Sequence, residues 1–462
     1  MPALCRWFPL FVLALALSGC AGLFRADDTA RAQQVVTHIE SGDITGALYW
    51  QGKSGEGRLL QNMDLGQLRQ LQGEIAQSRD HWRQADAEVE AAEDAGAIHF
   101  LAQLGAVLWN DRLLPYEGQD YEKVFVSTQL TLNDLLLGDA ATARVDMKRT
   151  VEREKRIEAA RDAEYDELEK EADERQIDWR TADIAAHGYP MAPLDAPEVR
   201  ALKNGFQNAL SHYLAGWFFE NAGEPSLAAP GYRNAYQLRP GNALIQKSLS
   251  GMGKNRPPKG TADTLFIIET GFVPPLATFR LSLPIRVNGR WFVAPVALPV
   301  IGDARRAGAL PASLAVGGKA VALYPLVDVD AMVRRSLKDR LPAILLRALL
   351  RTTFKSAAQY GVQGSRNEVQ NNVAGIITAL LAVSSEQADE RLWRTLPGTI
   401  GIARANLPAG MQTLSFGGQK TTIRIGPGPT LVVLRLAGDH LYVLSSAALP
   451  TDSSLAVSGE KP

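Results

Sequence analysis

Gly251-Met-Gly-Lys-Asn-Arg-Pro-Pro-Lys-Gly260 divides the 462-residue chain into two halves that obey different periodicities. Its Gly, Pro and polar content is that of a connection, with residues that neither helix nor sheet tolerates in series. Upstream, from Arg31 to Leu249, Ala, Leu, Gln and Glu recur at helical spacing with few β-branched runs. Downstream, Thr264–Glu269, Ala277–Ile285 and Trp291–Leu298 read as strands, and Thr421–Ile425, Thr430–Leu436 and His440–Leu444 read as a closing set between Gly/Pro turns. The fold class expected is therefore α+β and multidomain. An all-α helical domain spans 31–250, a linker 251–262, a β-rich α+β domain 263–448 and a tail 449–462.

The helical half carries an internal similarity, G-[D/E]-x-x-x-A, at Gly42-Asp43 with Ala47, Gly138-Asp139 with Ala143, and Gly223-Glu224 with Ala228. The last copy extends to Gly216, Phe219, Ala228, Tyr232, Ala235 and Pro240, a spacing that resembles a tetratricopeptide repeat. Gly216 and Ala228 let two antiparallel helices approach, Phe219 and Tyr232 fill the space beside them, and Pro240 ends the second helix. The copies lie 96 and 85 residues apart rather than 34, so the tetratricopeptide-like array is degenerate. Such units either present surfaces to other proteins or pack on one another.

Charge is patterned locally. Arg144–Arg175 holds seven basic and four acidic residues before Asp162, then eight acidic and two basic, and reads as a solvated helix. Its acidic end opposes the helix dipole and calls for solvent or a partner. His187–Pro197 reads as a surface excursion. In the second half, a helical insert from Asp330 to Tyr360 carries Arg334, Arg335, Lys338, Arg340, Arg347, Arg351 and Lys355, with Asp339 among them and Pro342 as a kink. Arg347, Arg351 and Lys355 share one face at i, i+4 spacing and form a candidate patch for anionic headgroups or an acidic partner. The alternative is a helix packed on the sheet with its basic side in water. Val373–Val383 is apolar, too short to span a bilayer, and reads as buried.

At the amino terminus, Arg6, an apolar run from Trp7 to Leu17, and Leu17-Ser18-Gly19-Cys20 look like a lipoprotein signal peptide, residues 1–19, ending in a lipobox. Cys20 would then carry the lipid, and residues 20–30 would form a tether reaching at most roughly 35 Å. Ala21 in place of Asp favours the outer membrane, on its periplasmic face. Cys5 falls in the removed segment, so the mature chain has no disulfide, thiol nucleophile or Cys-ligated metal site.

Catalytic signatures are missing from the sequence. The six histidines, at 38, 81, 99, 187, 212 and 440, form no H-E-x-x-H, and there is no G-x-S-x-G elbow. Gly46 to Gly52-Lys53-Ser54 imitates a phosphate loop, but five residues separate the glycines instead of four, and loop follows instead of helix. With 49 basic residues against 50 acidic ones, no global field favours nucleic acid. No nucleotide, metal or other cofactor is expected.

Leu114-Pro-Tyr-Glu-Gly-Gln-Asp-Tyr-Glu-Lys123, Glu269-Thr-Gly-Phe-Val-Pro-Pro275, Arg347–Lys355, and Ala388-Asp-Glu-Arg-Leu-Trp-Arg-Thr-Leu-Pro397 followed by Ile402-Ala-Arg404 are spread in order along most of the chain. Together they resemble an uncharacterised family of proteobacterial outer-membrane lipoproteins with a tetratricopeptide-like amino half. The resemblance implies an envelope role, linked to peptidoglycan synthesis or outer-membrane organisation, and no activity. By their local chemistry, Leu114–Lys123 caps a helix, Trp393 packs, and Asp389 pairs with Arg391. The function expected is a non-catalytic, lipid-anchored envelope protein that binds another envelope protein. The alternatives are an envelope hydrolase or glycan-modifying enzyme whose acidic residues converge in the fold, or an accessory lipoprotein for surface-polymer export.

Overall fold

The computed structural model describes residues 30–53, 57–107, 115–253, 257–302, 308–362 and 388–449, with the side chains of 95–107, 354–362 and 445–447 left aside. Cys20, the tether up to residue 29, Val373–Val383 and the tail beyond residue 449 lie outside them. Helix precedes sheet, as the two periodicities require. The helices up to the linker are α1 (30–40), α2 (Ile44–Gln51), α3 (Arg58–Leu71), α4 (Ile75–Val107), α5 (Asp120–Leu136), α6 (Ala140–Glu174), α7 (Pro197–Arg200), α8 (Ala209–Asn221), α9 (Pro225–Leu238) and α10 (Ala243–Gly251).

Four helical hairpins, α1–α2, α3–α4, α5–α6 and α8–α9, are built on one turn. In each, a glycine adopts a left-handed conformation, with φ of 82°, 81°, 77° and 75° at Gly42, Gly73, Gly138 and Gly223. An acidic residue follows. Asp43 and Asp139 are short enough to accept the Gly46 and Thr142 amides at 2.8 and 3.0 Å, capping the next helix. Glu74 and Glu224 pair instead with Arg69 and Arg144. Five residues after the glycine stands a small buried side chain, Ala47, Ser78, Ala143 or Ala228.

The hairpin at Gly73 is a fourth copy that the Ala-based pattern misses, because Ser78 stands at the small position. It splits the 96-residue gap between Gly42 and Gly138 into 31 and 65. Its Gly66, Trp82 and Ala85 hold the offsets of Gly216, Tyr232 and Ala235 in the last copy. A Cβ on Gly66 would lie 2.6 Å from the Trp82 ring, and one on Gly216 would lie 2.7 Å from the Tyr232 ring. Each glycine thus admits an aromatic side chain from the partner helix.

Past the linker come β2 (Thr261–Thr270), β3 (Leu276–Val287), β4 (Arg290–Ile301), β5 (Ser313–Val316), β6 (Lys319–Ala322), β7 (Tyr324–Asp328), α11 (Val329–Val362), β8 (Thr399–Pro408), β9 (Gly410–Phe416), β10 (Gln419–Ile425), β11 (Thr430–Ala437) and β12 (His440–Ala448). A two-residue strand, β1 (Ile177–Asp178), joins β3 and β4. A five-stranded sheet has the order β12-β11-β2-β8-β7, and a four-stranded one the order β10-β9-β5-β6. All six expected strands form, and α11 runs through Pro342. β5 to β9 are additional, being short or rich in Ala and Gly.

The central strand β2 is buried along nearly its whole length. Its odd residues Leu265 and Ile267 join the helical core, while Ala262, Phe266 and Ile268 face the four-stranded sheet. This two-sided burial accounts for its unbroken apolar run. Helices, the five-stranded sheet and the four-stranded sheet thus make three layers. The first core runs without a break from Val35 to Leu449, across the linker.

Candidate functional site

The inner surface of the helical array is the natural place to look for a bound partner, and the second half of the same chain occupies it. The first helix of every hairpin touches that half. From α1, the Ile39 carbonyl accepts the Tyr442 hydroxyl at 2.6 Å, and from α3, Asp64 accepts the Thr395 hydroxyl at 2.6 Å. From α5, Gln129 donates to Glu269 at 3.3 Å, and from α8, the Trp217 indole donates to Asp263 at 3.0 Å.

Residues 388–397 form a strap lying against α3, α4 and α5. Trp393 is fully buried and its ring lies 5.1 Å from that of Trp82. Its amide donates to Glu122 Oε1 at 2.7 Å. Glu122 Oε2 accepts the Tyr116 hydroxyl at 2.5 Å and the Gln119 amide at 2.8 Å, the latter closing the first turn of α5. Tyr121 adds a longer contact of 3.4 Å to Oε1. On the strap, Asp389 pairs with Arg391 at 2.7 Å, and the Arg391 guanidinium lies 5.2 Å from the Tyr116 ring centroid.

The electrostatics follow from this burial. Desolvation pushes Glu122 up to about 7 against the pull of its donors from Tyr116, Trp393, Gln119 and Tyr121. Asp64 is also pushed up to about 7, by desolvation first, with the Thr395 hydroxyl pulling it down and Glu122 repelling it. Next to them, burial raises Glu269 and lowers Arg435, each drawing the other back across 3.4 Å. Gln129 also accepts from Gln70, which donates to Asn133, which donates to Ser78, so the polar chain continues into α4.

Three of the stretches quoted for the family resemblance meet here: Glu122 with Trp393, and Val273, whose amide donates to the Leu396 carbonyl at 3.2 Å. Arg404 stands beyond, on β8, bound to Asp263 at 2.6 Å and to the Tyr232 hydroxyl at 3.0 Å. Composition and spacing did not nominate Asp64, Asp263, Glu269 or Arg435, because acidic and basic residues are too numerous for burial to be read from type. The one usable signal was a charged residue inside an apolar strand run, as at Glu269 and Arg435.

Of the repeat residues, Gly216 and Phe219 lie on α8, and Ala228, Tyr232 and Ala235 lie on α9. Ala228, Tyr232 and Ala235 are fully buried and Gly216 faces Tyr232. Phe219 sits at the rim, edge-on to Phe218 and beneath Arg144, and Pro240 stands in the turn after α9.

The basic patch on α11 needs correction. Arg351 is only 3 % exposed and Arg347 forms an ion pair with Glu164 of α6, so neither offers an open cationic face. The Lys355 side chain lies outside those described. Lys338 pairs with Asp195 at 2.5 Å, Arg335 donates to the Leu202 carbonyl at 2.9 Å, and Arg340 donates to Gln119 at 3.0 Å. The acidic partners of this helix are Glu164 and Asp195 of the helical half together with its own Asp330 and Asp339.

For the same reason α6 is not simply solvated. Arg149 and Arg153 reach Asp86 of α4 at 2.6 and 2.7 Å, and Glu164 meets α11. His187–Pro197 is likewise packed, with Tyr189 donating to the Pro299 carbonyl at 2.6 Å.

An open feature remains on the hairpin of β3 and β4, whose strands are joined by Asn288 and Gly289 with φ of 51° and 74°, as a two-residue turn demands. Trp291 and Val293, two residues apart and therefore on one face, are 69 % and 62 % exposed. Across the register, Arg286 opposes Trp291, its guanidinium 6.0 Å from the ring. Arg286 and Arg290 are exposed and form no ion pair among the described residues. From Leu276 to Ile301 the hairpin has three arginines and no acid.

Among the described residues, no group of three or more His, Cys, Asp or Glu is arranged to hold a metal, and no helix is long and apolar enough to cross a membrane. Compared with known proteins, the chain matches no family model, no curated protein and no solved structure.

Proposed function

We propose that this chain is a lipid-anchored envelope protein, held at the outer membrane through acylated Cys20, that binds an acidic surface of another envelope protein through the solvent face of the β3–β4 hairpin. The observation that carries the reading is the pair Trp291 and Val293, exposed on one face, with Arg286 beside the Trp291 ring across the register. An exposed Trp and Val with an arginine against the Trp ring match the makeup of an interface, where Trp and Arg are enriched. The helical half reads as a degenerate tetratricopeptide-like array whose inner face is used in cis. It serves as the platform for the sheets rather than as the receptor for the partner.

The hydrolase alternative would require Asp64 and Glu122 to reach a substrate. Both are buried, and Thr395, Tyr116 and two backbone amides engage their oxygens. The test is photocrosslinking in cells from a reactive side chain at position 291, with position 411 on β9 as an exposed control. A discrete adduct with one envelope protein from 291 alone supports the proposal. Adducts of equal yield from both positions, or none from 291, reject it.

A further inference from the structure

The described fold begins at α1, and the corner where the chain enters it has an unusual surface. Arg31, at the start of α1, donates to the Lys53 carbonyl just after α2 at 2.7 Å. Next to that bond Tyr49 is 58 % exposed and edge-on to Trp50, with ring centroids 5.8 Å apart. Lys53 Nζ lies 2.5 Å from the Tyr49 hydroxyl and 4.1 Å from the ring centroid, and 5.6 Å from that of Trp50. On the same hairpin, His38 and Asp43 meet at 2.9 Å at the other end of α2.

We infer that the Tyr49–Trp50–Lys53 corner is a membrane-contact surface that rests in the phospholipid headgroup layer, an inference that depends on the anchor at Cys20 proposed above. Two observations point to lipid rather than protein as the occupant. The chemistry is that of the membrane interface, where Tyr and Trp place their rings at headgroup depth and Lys reaches phosphate. The location is fixed by the chain. Residues 20–30 span at most roughly 35 Å and end one residue from Arg31, so this corner is the part of the fold tied closest to the acyl chains. An acylated anchor alone leaves the body free to tumble on its tether. A second contact at the tether's base would fix which face of the protein looks away from the membrane.

The mature chain has no thiol besides the acylated one, so a single cysteine can be labelled cleanly. Thr45, exposed one turn from Tyr49, takes a nitroxide as Thr45→Cys, and Met411→Cys, exposed on β9, serves as the control. The acylated full chain is reconstituted in vesicles of phosphatidylethanolamine and phosphatidylglycerol, and collision of the label with oxygen is compared with collision with a water-soluble nickel chelate.

The expected result is an oxygen-to-nickel ratio several-fold higher at 45 than at 411, lost in the Tyr49→Ser, Lys53→Glu variant while circular dichroism is unchanged. A label at 45 as open to nickel as that at 411, on a chain whose mass shows acylated Cys20, overturns the inference and leaves the anchor standing. A label shielded from both reagents indicates a protein contact and also overturns it. A ratio that persists in the variant shows that the corner is not the contact. An unacylated Cys20 removes the anchor and the inference together.

Discussion

Replacing Glu122 with alanine should loosen the strap from the helices before it disturbs the rest of the molecule. The carboxylate accepts two backbone amides, Gln119 at 2.8 Å and Trp393 at 2.7 Å, and two tyrosine hydroxyls, all in a region closed to water. Alanine leaves the two amides without an acceptor. An abandoned buried donor costs about 1–3 kcal/mol, so the two amides alone cost about 2–6 kcal/mol.

Part of that loss is offset, because the charge no longer has to be held out of water. A net loss of about 3 kcal/mol corresponds to roughly a hundredfold change in an equilibrium constant. The assay is hydrogen exchange followed by mass spectrometry, which reads local opening segment by segment. Peptides covering 388–397 and the first turn of α5 should lose about two orders of magnitude of protection, while those covering α8 and α9 change little. Equal loss everywhere, or none in the strap, would refute the assignment of Glu122 as the clamp.

Further outcomes follow from the same geometry. Asp64 and Glu122 are both raised to about 7 in the fold, from ordinary values near 4, so the folded state binds more protons across that interval. Their contribution to stability is full below about pH 4 and is lost as pH rises through about 7, so strap protection, taken relative to the intrinsic exchange rate at each pH, should fall from pH 5.5 to pH 8. The Glu122→Gln chain should show a flatter profile. Arg435→Ala leaves Glu269 buried without its cation and should cost about 3–5 kcal/mol in thermal unfolding, most of it recovered by Glu269→Leu, Arg435→Met. At Gly231 a Cβ would meet the Gly216 amide nitrogen at 2.7 Å and the His212 carbonyl at 2.8 Å. Backbone cannot yield as a ring edge can, so Gly231→Ala should destabilise by about 1–3 kcal/mol or more, read as a lower Tm. Trp291→Ser should change stability by no more than about 0.5 kcal/mol, since the side chain is mostly in solvent, while abolishing partner capture.

How far the sequence could be read follows from what each pattern reports. Periodicity placed helix before Gly251 and strand after Gly260, because local propensity and burial agree there. The turn of Gly42, Gly138 and Gly223 was legible because a left-handed glycine and a short cap are local requirements. The copy at Gly73 was hidden by serine in place of alanine, although Gly66, Trp82 and Ala85 carried the same offsets. Long-range pairing was not legible. The stripe on α11 suggested an external acidic partner, and the acids proved to be Glu164 and Asp195 of the same chain. Likewise, the residues of the strap could be quoted from the sequence, but only the fold brings Trp393 to Glu122 across 271 positions. Exposure of Trp291 and Val293 escaped notice because the strand they lie in reads as uniformly apolar.

Photocrosslinking from position 291 in the acylated chain, in intact cells, addresses the proposed function most directly. The account predicts a single adduct with an envelope protein, weakened by Arg286→Glu and absent from position 411. An adduct pattern indifferent to that arginine, or no adduct from 291 in a chain shown to be folded and membrane-bound, would contradict it.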